Sequence, residues 1–175
     1  MAVRKDKPHS LATYPVFEPH ITLASVQSET PVPLSIIREL IPTTQHAFQV
    51  KFKSVDVGDH YFRSVYITIN LDETLTNLHH TVHERLKISP RTPKYPHVSL
   101  VYISDEDADG GEREKYFEEL KARQLVSNKG EEGVGLRASV ESKWIEGFKA
   151  SEIWITRCVG PVETWEVLDK ISLGV

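Results

Sequence analysis

Two short stretches carry residue types suited to chemistry: Pro19-His20-Ile21-Thr22-Leu23 and Pro96-His97-Val98-Ser99-Leu100. In an extended strand, residues two apart share a face. His20 therefore projects with Thr22, and His97 with Ser99. Ile21, Leu23, Val98 and Leu100 turn the other way, into apolar packing. An imidazole titrates near neutrality, so one ring can take a proton from water while the other gives one to a leaving oxygen. Hydroxyls can hydrogen-bond the non-bridging oxygens of a phosphate as charge builds there. Two rings and two hydroxyls across a groove suit phosphoester hydrolysis without a metal or other cofactor. One His-x-Ser/Thr tripeptide is common by chance. Two of them, each between Pro and Leu in matching contexts, are not.

The elements that must position these residues can be read from periodicity. Residues 16–26 are rich in β-branched and aromatic side chains and predict a strand. Leu34, Ile37, Leu40 and Ile41 fall at helical spacing between prolines. Phe48, Val50 and Phe52 alternate with Gln49, Lys51 and Lys53, as in a half-buried strand, and residues 61–70 read as its hairpin partner. Leu75, Leu78, Val82 and Leu86 trace one face of a helix that Asp72 or Thr74 can cap. After the second motif strand come an acidic turn at 104–112, an amphipathic helix at 113–125 and a loop at 127–135. Two further strands are expected at 136–148 and 152–159, joined through 149–151. A final helix is predicted to begin near Pro161. The expected fold is α+β and mainly antiparallel. The repeated motif suggests two lobes related by a pseudo-twofold axis, with outer helices and the groove between them.

Composition narrows the functional classes. The 175 residues fit one domain, 39% hydrophobic and 26% charged, as in an ordinary globular protein. Residues 1–12 read as a flexible tail and 13–175 as the domain. A net charge of −4 argues against a grip on long nucleic acid. The expected partner is a small nucleotide, with the chain acting as a monomer. No apolar run is long enough to span a membrane. The basic start has no apolar stretch behind it and is not a secretory signal. The single cysteine, Cys158, allows no internal disulfide and points to a reducing, cytoplasmic setting.

The pair PHITL and PHVSL resembles the signature of the two-histidine phosphoesterase superfamily. Within it, PVFEPHITLAS, PHVSLVY and GPVETW are most similar to the fungal and plant cyclic phosphodiesterases. The resemblance implies opening of nucleoside 2′,3′-cyclic phosphates to 2′-phosphates. It also implies opening of ADP-ribose 1″,2″-cyclic phosphate to the 1″-phosphate, downstream of tRNA splicing. It casts His97 as the base that activates water, His20 as the acid, and Thr22 and Ser99 as phosphate binders. Tyr102 matches a tyrosine beside the substrate, although strand parity turns it away from His97 unless a bulge re-aims it. Fungal relatives imply Golgi association as the alternative location. The family begins with a strand and a helix that the first 19 residues do not resemble. Two alternatives stay open: an RNA-end phosphodiesterase acting on oligonucleotides, and a nucleotide-binding module that kept the pocket.

Other residues have plainer readings. His79 and His83 have metal-ligand spacing on a helix, but no third ligand is in view, so an exposed helix face is expected. Arg91 and Lys94 could attract an anion or simply line a loop. Trp144 and Trp154 are expected in the core, with base stacking as the alternative. Cys158 is expected to be buried.

Overall fold

The computed structural model describes residues 10–26, 32–91 and 95–174. The first helix, α1 (Leu34–Leu40), starts after Pro33 and buries Leu40. Strand β1 (Phe48–His60) turns at Tyr61 and Phe62 into β2 (Arg63–Ile69), forming the expected antiparallel hairpin. In α2 (Glu73–Leu86), the Asp72 carboxylate accepts from the Leu75 amide at 2.8 Å, which satisfies an orphan N–H of the first turn. Lys87 ends the helix with a left-handed φ of 55°. Strand β3 (His97–Val101) carries the second motif. Helices α3 (Asp105–Asp109) and α4 (Glu112–Ala122), the short strands β4 (Val126–Asn128), β5 (Val134–Leu136) and β6 (Gly147–Ala150), and the longer β7 (Glu152–Arg157) and β8 (Glu166–Ser172) complete the chain.

The main sheet has the order β3-β2-β1-β6 and is antiparallel throughout. Two cores cover one of its faces. In one, Val50, Phe52, Ile67, Ile69 and Val98 meet Leu75 of α2 and Leu136 of β5. In the other, Val65 and Val101 meet Tyr116 and Leu120 of α4. A third joins Ile41, Leu78, Val82 and Leu173, with Leu23 packed against it. The α+β, antiparallel character matches the expectation.

Several elements differ from the sequence reading. Residues 16–26 form no strand; only Ile21 bridges, antiparallel, to Val98. Pro15 and Pro19 have no N–H to give a ladder, so a continuous strand is not available there. The predicted C-terminal helix is a turn at Val162–Thr164 followed by β8, which pairs with β7 over its length. Its apolar residues fit either period, and long-range pairing decided. The last two predicted strands do not pair with each other: β6 joins β1, and β7 joins β8. Residues 137–146 form no named strand, whereas the predicted loop at 127–135 holds the β4–β5 hairpin. The acidic turn contains α3, capped by Ser104. Beside the four-stranded sheet, the described residues hold two two-stranded sheets, β4–β5 and β7–β8.

Residues 10–14 make hydrogen bonds to the rest of the chain. Asp107 is buried and accepts from the Ser10 amide at 3.1 Å and from the Thr13 hydroxyl. Tyr61 donates to the Ala12 carbonyl at 2.8 Å. Residues 10–14 are thus pinned to the domain.

Candidate active site

The bridge between Ile21 and Val98 brings the two motifs together, although they are far apart in sequence. Both bridging residues belong to the same core, so their neighbours face the opposite side. The antiparallel register sets His20 across from Ser99 and Thr22 across from His97. On β2, Ser99 pairs with Tyr66 and His97 with Thr68. On β1, Tyr66 pairs with Asp56 and Thr68 with Ser54. Two polar rows result: His20, Ser99, Tyr66 and Asp56, then Thr22, His97, Thr68 and Ser54.

Each motif side chain has a defined setting. His20 is exposed, and its Nδ1 lies 2.7 Å from the Glu18 carbonyl oxygen. A carbonyl only accepts, so the proton sits on Nδ1 and Nε2 is left to exchange protons. The His97 ring packs edge-on against Tyr66, with centroids 5.4 Å apart. Ser99 is buried and donates to the Phe62 carbonyl at 2.6 Å. Thr22 is half-buried.

Tyr102 joins this face through a bulge. The β2–β3 register shifts so that Tyr66 pairs with Ser99 but Val65 pairs with Val101. The extra residue, Leu100, reverses the parity of the residues after it. Val101 turns to the core and Tyr102 returns to the side of Ser99. Burial pushes the Tyr102 phenol up to about 12, while hydrogen bonding with Ser99 pulls it partly back. Around it stands an aromatic wall. Phe17 stacks on Tyr102 at 4.1 Å and 8°, Tyr61 and Phe62 flank it at 5.5 and 5.4 Å, and Trp165 lies 5.7 Å from Phe62. Sequence reading missed this wall and the β1 and β2 rows. Alternation within residues 61–70 was the available signal for Tyr66 and Thr68.

The remaining candidates lie elsewhere or differ from expectation. Trp144 and Trp154 are 38% and 39% exposed, so neither is a core residue. Each carries a cation over its ring, Arg137 at 4.5 Å and Lys170 at 3.7 Å. Cys158 is exposed rather than buried. His83 is buried, and His79 packs between it and Tyr95, with centroids 4.1 and 4.0 Å away. These histidines line the inner side of α2 rather than an exposed face; Leu78 and Val82 beside them draw that side into the core. Among the described residues no three His, Cys, Asp or Glu side chains gather as a metal set. Arg91 is exposed, and Lys94 lies outside the described residues. No helix among the described residues is long and apolar enough to cross a membrane.

The chain is similar to known proteins over most of its length. A relative in Saccharomyces cerevisiae, 2′,3′-cyclic-nucleotide 3′-phosphodiesterase, is 24% identical over 206 residues, covering 91% of this chain and 86% of the relative. A protein of the same description in Yarrowia lipolytica is 30% identical over 193 residues, covering 87% and 82%. The model of the cyclic phosphodiesterase-like protein family matches residues 3–173, a span that holds both motifs and the aromatic wall, and the chain belongs to that family.

Proposed function

We propose that this chain hydrolyses nucleoside 2′,3′-cyclic phosphates to 2′-phosphates, with His20 and His97 as the acid–base pair. The observation that supports the reading is the antiparallel Ile21–Val98 bridge, since residues flanking such a bridge share the face opposite to it. The family and the names of its relatives support the same reaction class.

In the proposed step, His97 takes a proton from water as the water oxygen bonds to phosphorus. The bond from phosphorus to the 3′ oxygen breaks, and His20, entering the step as the imidazolium, delivers its Nε2 proton to that oxygen and keeps the Nδ1 proton on the Glu18 carbonyl. A 2′-phosphate and a free 3′-hydroxyl result. Thr22 and Ser99 hydrogen-bond the non-bridging oxygens, where charge builds. Ser99 exchanges the Phe62 carbonyl for a phosphoryl oxygen to do so. Tyr102 holds Ser99 in place, and the aromatic wall offers a stacking surface for the base. ADP-ribose 1″,2″-cyclic phosphate presents the same five-membered cyclic phosphate on a ribose and would open to the 1″-phosphate. That reaction would place the chain in the handling of tRNA-splicing by-products. Both proton transfers are assigned to imidazoles, so no metal is required.

The test is hydrolysis of a 2′,3′-cyclic nucleotide in EDTA, with the phosphate position read by phosphorus NMR. A 2′-phosphate product, lost in His20→Ala and in His97→Ala, is expected. Turnover unchanged in both folded variants would overturn the assignment.

A further inference from the structure

We propose that the groove beyond His97 is a second subsite, which receives a phosphate carried on the 5′ oxygen of the cyclic nucleotide. The inference rests on the cyclic phosphodiesterase reading and names the substrate class of that same site.

Side chains follow a fixed order along the sheet face. At one end stands the aromatic wall around Tyr102. Next comes the row of Ser99, Tyr66 and Asp56, then the row of His97, Thr68 and Ser54. A groove of about 790 Å³ starts at these rows and runs on beyond them, lined by Lys53, Ser54, Asp56, Thr68, Asn70 and Tyr95. Thr68 pairs with His97 and Pro96 precedes it, so the groove is continuous with the site. Pockets of about 300–1,000 Å³ hold whole small molecules, so the cyclised edge of one ribose does not fill this space.

Ribose chemistry sets what reaches it. The base leaves the sugar ring at C1′ and the 5′ carbon leaves at C4′, on opposite flanks of the 2′,3′ edge. With the cyclic phosphate between the histidines and the base on the aromatic wall, the 5′ oxygen is directed towards the groove.

The charges there suit an anion. Lys53 is exposed and makes no ion pair among the described residues. Lys51 shares its side of β1, since both alternate with the buried Val50 and Phe52. Two carboxylates lie near. Asp56 lines the groove at its inner end, level with Ser99, and its carboxylate accepts from Ser54 at 2.8 Å. Asp72 is engaged by the Leu75 amide as the α2 cap. The far end therefore offers the Lys53 ammonium and the Asn70 amide to a phosphate.

Such a phosphate is either a terminal 5′-phosphate or the bridge to a preceding nucleotide. The experiment compares kcat/KM for three compounds: a nucleoside 2′,3′-cyclic phosphate, its 5′-phosphorylated form, and a dinucleotide ending in the cyclic phosphate. The wild-type chain is expected to favour at least one phosphate-bearing compound by about tenfold, the scale of one charge-assisted hydrogen bond. Which arm gains identifies the source. Lys53→Ala should bring that ratio close to one, Lys53→Arg should keep it, and salt should reduce it. A wild-type ratio near one, or a preference that survives in Lys53→Ala, overturns the subsite while leaving the reaction assignment intact. No turnover of any compound overturns both.

Discussion

His20 owes its usable proton site to one backbone contact. With Nδ1–H held by the Glu18 carbonyl, Nε2 is the ring nitrogen left to exchange protons in the proposed reaction. Removing either imidazole, by His20→Ala or His97→Ala, should lower kcat by about 10²–10⁴-fold, the range for a positioned acid or base, with Tm little changed. Stopped assays and thermal melts on the same samples check this. Apart from its proposed phosphate contact, Ser99 donates to the Phe62 carbonyl, so Ser99→Ala also leaves that carbonyl without its donor. Alkali probes the buried phenols. Burial raises Tyr116 from 10.0 to about 12, with Glu119 adding to the rise and Arg123 opposing it. The neutral phenol is favoured in the fold, so its stabilisation is complete below pH 10 and is lost as pH rises towards 12. Melts from pH 8 to 12 should show a falling Tm above pH 10, with a shallower fall in Tyr116→Phe.

At the scale of elements, α2 supports the second motif from behind. Asp72→Ala should cost about 1 kcal/mol through the lost cap and lower Tm by about 2–4 °C. Calorimetry of the variant measures it. The same helix presses His79 onto Tyr95, two residues before His97. Burial lowers the His79 pKa below 6.5, and the neighbouring His83 and His80 add to this. The neutral ring is the folded form, so its contribution is present above pH 6.5 and is lost as pH falls below that value. Tm should drop between pH 7 and 5, and His79→Phe should flatten that drop. The periodicity of α2 was legible because Leu75, Leu78 and Val82 are helix neighbours. The inward turn of His79 and His83 was not, because it depends on Tyr95 arriving from the next loop. The bulge in β3 is of the same kind. Nothing within residues 97–102 announces that Leu100 is the extra residue; the pairing with β2 selects it.

Across the whole molecule, the site depends on one strap. Residues 10–22 run from Asp107, past Tyr102, to the bridge at Val98. Asp107→Ala should leave the Ser10 amide without its acceptor and the Thr13 hydroxyl with Ser104 alone, at a cost of about 1–3 kcal/mol. It should also loosen Phe17 and His20, so kcat/KM for a cyclic nucleotide should fall several-fold although Asp107 touches no substrate. Unchanged kinetics in a destabilised variant would show that the strap is held by the bridge alone.

The sequence by itself determined which side chains could do chemistry and, through the two-residue period of extended chain, that each histidine shares a face with its hydroxyl. It also determined α1, α2, α4 and the β1–β2 hairpin, because caps and periodicity act between residues close along the chain. Tertiary structure alone decided that Ile21 meets Val98, that Tyr102 turns back towards Ser99, and that Phe17, Tyr61, Phe62 and Trp165 gather beside them. It also made residues 166–172 a strand rather than a helix. These outcomes depend on pairing and burial between segments far apart in sequence, where local propensity is nearly balanced and the partner tips it.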